Sequence, residues 1–102
     1  MKLQNEIEGQ PVSLPENIRW EGSRVELVEL IYALHEVGSF GTASIKSLFA
    51  FVGKMFGCEI PNYYRLFWSI QNRMGNIRTF FLDKLRKALS DKLIRKDNGL
   101  RK

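Results

Sequence analysis

The stretch Ser23-Arg24-Val25-Glu26-Leu27-Val28-Glu29-Leu30-Ile31-Tyr32-Ala33-Leu34-His35-Glu36-Val37-Gly38 decides the fold. Ser23 followed three residues later by Glu26 is a capping box: the hydroxyl takes the Glu26 amide and the carboxylate reaches back. Leu27, Leu30, Ile31 and Leu34 follow at helical spacing, with Val28 and Tyr32 widening the stripe. Glu26, Glu29 and Glu36 lie on the other side, and Gly38 is a natural stop. A helix this apolar is expected at the centre of the core. Leu30, Ile31 and Leu34 are predicted buried, with Phe49, Val52, Phe67, Ile70, Phe81 and Leu85 around them.

Three further helices follow. Ser39 to Ala43 reads as a loop and Ser44 as a cap. Ile45, Leu48, Phe49, Val52, Met55 and Phe56 then fall on one helical face, and Gly57 ends the run. After the connection Gly57 to Pro61, Asn62 is a candidate cap for a third helix with Tyr63, Leu66, Phe67, Ile70 and Met74 inward. Gly75-Asn76 marks a break. A fourth helix is predicted from about Ile77 to Arg95, with Phe81, Leu85, Ala88, Leu89 and Leu93 inward and Asp97-Asn98-Gly99 ending it. The expected fold is all-α: one four-helix domain over residues 20–97 containing a helix-turn-helix-like unit. Residues 1–19 read as an extended, partly disordered lead broken by Pro11 and Pro15, after which Trp20 docks the chain on the core. Residues 98–102 read as a basic tail.

The whole chain has 102 residues, enough for one modest core. It is 44% hydrophobic and 26% charged, which is too apolar for disorder. The longest apolar runs, such as Leu48 to Val52, are too short for a transmembrane helix or a secretory signal. The lone Cys58 forms no internal disulfide and fits a reducing cytoplasm, and one Cys with one His (His35) is too few for a zinc site. No nucleophile motif, acidic cluster or phosphate-binding glycine loop stands out, so a non-enzyme without cofactor or metal is expected.

Charge is unevenly divided. Residues 1–50 hold four Lys or Arg against seven Glu, whereas residues 51–102 hold twelve against four acids. A basic half suggests a polyanionic partner: nucleic acid or an anionic membrane surface. A solvated basic face with no partner is the alternative. The third helix divides its labour as a reading helix would: Arg65, Ser69, Asn72 and Arg73 share a polar stripe away from its apolar face. Arg73 is the first choice for a DNA contact and Arg65 the second, with Arg78, Lys84 and Lys87 beside them. The helix-two, turn, helix-three order resembles a helix-turn-helix, although the connection is longer than the usual three or four residues. Tyr63, Tyr64, Phe67 and Trp68 are expected in the core rather than as a stacking platform.

Several of these segments together resemble one family. Leu27 to His35 reads LVELIYALH. Asn62-Tyr63-Tyr64-Arg65, Asn72-Arg73 and Phe81-Leu82-Asp83-Lys84-Leu85-Arg86-Lys87-Ala88-Leu89 follow, with Trp20, Ser23 and Ser44-Ile45-Lys46 at matching places. Their order and spacing resemble the C-terminal part of the RteC family, regulatory proteins of Bacteroides conjugative transposons that carry tetracycline resistance. The likeness covers about residues 11–96. Ser44 and Ser47 stand where the family tends to have Asp and Glu. The loop at Ser39 to Ala43 is short for the family, whose larger members add an N-terminal helical region. The resemblance implies a DNA-binding transcriptional regulator acting on an excision operon.

Two other classes compete. The fourth helix, residues 77–95, is basic and amphipathic and suits a membrane surface. It ranks lower because its apolar stripe is expected to close the core. A helical module docking an acidic partner is the other, and self-association as a homodimer is compatible with the charge split.

Overall fold

A computed structural model describes residues 18–100, and all regular structure among them is helical. Helix α1 spans Arg24–Glu36, α2 Ile45–Phe56, α3 Tyr63–Gln71 and α4 Phe80–Leu100, with a short 3-10 turn at Gly75–Ile77 before α4. The expected lead falls almost wholly outside these residues, as do Arg101 and Lys102 of the expected tail.

Local signals set the helix starts. The Ser23 hydroxyl accepts from the Glu26 amide at 3.1 Å, and the Ser23 amide donates to the Glu26 carboxylate at 3.1 Å, completing the capping box. The Ser44 hydroxyl takes the Ser47 amide in the same way. Asn62 stands at the cap position of α3 without a side-chain bond. Helix α2 ends where Gly57 turns left-handed at φ 62°, a conformation costly for any residue with a Cβ.

Helix α1 is the hub, touching α2, α3 and α4. Leu27, Val28 and Ile31 meet Leu48, Phe49 and Val52 of α2, with Ile60 and Ile70 completing the core. An aromatic cluster lies alongside: Tyr32 stacks on Phe67 with centroids 4.0 Å apart, and Phe49 stacks on Tyr63 at 4.6 Å. Trp20 ties the chain's entry to three helices. Its amide donates to the Phe56 carbonyl at the end of α2, and its indole N–H to the Ser23 carbonyl at the start of α1. Its ring meets Phe81 of α4 edge-on.

Several expectations need correction. Leu30 and Leu34 are only half-buried, because the deepest positions of α1 are Leu27 and Val28. Phe67 is also half-buried. Helix α4 starts at Phe80, three residues later than expected, since Gly75–Ile77 forms its own turn. It continues through Asp97-Asn98-Gly99, because a weak propensity of about 1 kcal/mol at one glycine does not stop an established helix. Only the first turn of α4 is held on the core. Phe81 is buried, but Leu85, Leu89 and Leu93 are exposed. The apolar stripe of α4 therefore does not close the core. Helix α3 stops at Gln71, leaving Met74 exposed and Arg73 in the turn beyond it. Finally, α3 packs more extensively on α1 than on α2, which it meets through the Phe49–Tyr63 stack.

Candidate nucleic-acid interface

The outward face of α3 carries Arg65, Ser69 and, at the helix end, Asn72, all exposed as their spacing implies. Two of them are partly engaged. The Ser69 hydroxyl donates to the Leu66 carbonyl at 2.7 Å, and the Asn72 amide group to the Trp68 carbonyl at 2.7 Å. Each keeps an oxygen able to accept a further bond. The aromatic residues of α3 divide: Tyr63 and Phe67 pack inward, whereas Tyr64 and Trp68 are exposed, against the expectation that all four are core. Tyr64 and Trp68 are four residues apart and share the side of α3 next to Arg65.

Arg73 has a different place from the one its spacing suggested. Its Nη1 lies 2.8 Å from Glu29 Oε1 and also donates to the Arg78 carbonyl at 2.9 Å. Its side chain is 20% exposed. The guanidinium is thus directed into the protein, because the turn after Gln71 folds it back over α1. Glu29 is the residue that sequence reasoning missed, having been assigned to the solvent side of α1. It is 5% exposed, and its second oxygen accepts the Leu82 amide at 2.9 Å. That amide belongs to the first turn of α4, where no intrahelical acceptor exists, so Glu29 caps α4 from another helix. A signal was present: Val25 and Tyr32, four residues before and three after Glu29, are apolar and bracket it within the widened stripe.

The other cations stand near the ends of α3 and along α4. Arg78 donates from Nη2 to the Gln71 carbonyl at 3.0 Å, satisfying the end of α3. Lys84 is 3.8 Å from Glu26, and Lys87 is 2.9 Å from Asp91 one turn away. Both lysines are largely exposed, so these pairs are weak and leave the charges available. Arg86, Lys92, Arg95 and Lys96 of α4 are also exposed. The structure therefore offers a polar face with two aromatic rings on α3 and a basic rod in α4. Glu29 and Arg73 form the joint between them.

The family model described as RteC protein matches residues 1–97. The chain belongs to the RteC family. The match includes all four helices except the last residues of α4, and so covers both the α3 face and the Glu29–Arg73 joint. No curated protein and no solved structure matches the chain. Membership of the RteC family is consistent with a regulatory role in conjugative transposons. No described helix is long and apolar enough to cross a membrane, and no described group of His, Cys, Asp or Glu is arranged to hold a metal ion.

Proposed function

We propose that this RteC-family chain is a non-enzymatic, cytoplasmic regulator that binds duplex DNA of a conjugative or transposon-like element. The observation that carries the reading is the exposed cationic surface within residues 51–99: only Arg73 of the expected contacts is turned inward. Arg65, Ser69 and Asn72 on α3 would approach base edges as the second helix of a helix-turn-helix, with Tyr64 and Trp68 beside them. Arg78, Lys84 and Lys87 would meet phosphates. Arg65 replaces Arg73 as the first choice for a base contact, because its side chain is exposed and forms no ion pair among the described residues.

Fluorescence anisotropy with labelled duplexes from upstream of the gene and from the neighbouring excision region tests this. Affinity should fall steeply as salt rises, since each neutralised phosphate releases counterions. Binding that stays flat from low to physiological salt would sink the reading.

A second reading is favoured by the exposed Leu85, Leu89 and Leu93 of α4. Their stripe, edged by Lys92 and Lys96, suits an acidic helical partner rather than DNA. Leu89→Lys separates the two. It would abolish partner docking and leave duplex binding intact or slightly stronger. Liposome co-sedimentation checks the membrane alternative.

A further inference from the structure

A groove of about 430 Å³ opens between α2 and the chain that leads into α3. Its size lies within the range of small-molecule sites, roughly 300–1,000 Å³. The sequence explains why it is there. Lys46, Ala50 and Lys54 follow one another at four-residue intervals on α2, so they share a face. The small Ala50 leaves a gap between two long side chains whose backbones are about 12 Å apart, from the helical rise. Phe49 and Ile60, both buried, supply an apolar floor, and Tyr63 forms the opposite wall.

The groove is preformed. Tyr63 is stacked on Phe49 with planes 7° apart, and Tyr64 meets Tyr63 edge-on. Gly53 lets the end of α2 approach the following strand of chain closely: a Cβ there would lie 3.2 Å from the Glu59 Cα. The wall carrying Ile60 is thereby pinned against α2. Lys46 and Lys54 form no ion pair among the described residues. Glu59 also lines the groove, so two cations face one carboxylate and the lining carries a net single positive charge.

We propose that this groove is a binding site for a small apolar monoanion, an aromatic carboxylate being the best match. The ring lies on the floor of Phe49 and Ile60 beside Tyr63. The carboxylate is held by Lys46 or Lys54, away from Glu59. A dianion is disfavoured by Glu59, and a neutral ligand gains less from the lysines than a carboxylate does. The site adjoins the α3 face proposed for DNA at Tyr64, which lines the groove, but the residues that hold the ligand lie on α2 and on the chain before Tyr64.

Naphthoate, titrated into the isotope-labelled full chain and followed by amide shifts, tests the proposal. Saturable one-to-one binding is expected, with the largest shifts at Ala50, Gly53, Ile60 and Tyr63. Naphthamide, its neutral counterpart, should bind about tenfold more weakly, as expected for loss of one charge-assisted contact. Ala50→Trp fills the groove from the exposed face of α2 and should remove binding with an unchanged melting temperature. The paired surface change Lys46→Gln, Lys54→Gln should abolish or reverse the preference for the acid, because Glu59 is then the charge left on the lining. Absence of saturation, equal binding of acid and amide to the parent chain, or full binding by folded Ala50→Trp would each overturn the site.

Discussion

Glu29 and Arg73 are 44 residues apart in sequence and 2.8 Å apart at Oε1 and Nη1. The pair joins α1 to the turn after α3, and the other Glu29 oxygen takes the Leu82 amide of α4. One buried carboxylate therefore fixes three segments. Arg73→Ala would leave that charge buried beside a single amide. The expected loss is about 3–5 kcal/mol, as for other broken buried pairs. Thermal unfolding followed by circular dichroism checks it. A melting temperature within error of the parent would show that the guanidinium is not needed for folding.

The core gives a contrast between two leucines. Leu27 is fully buried, and Leu27→Ala should cost about 2–5 kcal/mol. Leu85 is 39% exposed, and Leu85→Ala should cost much less, because a partly solvated side chain loses little transfer energy and leaves no closed cavity. Denaturant titration of the two variants, at matched slopes, measures both.

That contrast shows how far the sequence could be read. The starts of α1 and α2 were legible at Ser23 and Ser44 because a cap is settled within four residues. The inward faces of α2 and α3 were legible from their period, except at the ends, where Met55 and Met74 are exposed. Leu85, Leu89 and Leu93 misled for the same reason: helical spacing identifies an apolar stripe but does not say whether another helix lies opposite. Arg73 misled because its partner is Glu29, and a contact over that separation leaves no local pattern. Tyr64 and Trp68 could not be told from Tyr63 and Phe67 by residue type, only by which side of α3 meets α1.

Tyr32 makes alkaline stability testable. Burial raises its phenol above the ordinary value of 10.0, and the neighbouring Tyr63 raises it further. As pH rises, the unfolded chain loses this proton before the folded one does. The stabilisation is therefore complete below about pH 10 and is lost as pH climbs through the folded value. Tyr32→Phe removes the titration and should flatten that alkaline decline. Stability measured between about pH 9 and 11 for both chains tests the sign. A steeper decline in the variant would refute it.

The roles of Arg65 and of the α4 lysines can be separated by what each does to specificity and to salt. Arg65 projects from the exposed face of α3 between Tyr64 and Ser69. If it reads a guanine, Arg65→Ala should cost about 1–3 kcal/mol on the preferred duplex and much less on random sequence, because only the base contact is lost. Lys84 and Lys87 carry their charges into solvent on α4. A phosphate contact through either carries no sequence information, so Lys84→Ala or Lys87→Ala should weaken all duplexes alike and lower the salt slope by about one. Anisotropy at several salt concentrations on both duplexes resolves the two patterns. Arg73→Ala is the necessary companion: it should lose binding only in step with its loss of folded protein. If Arg65→Ala binds both duplexes as tightly as the parent while remaining folded, the outward face of α3 is not the reading face, and the basic rod of α4 becomes the element to place in a groove.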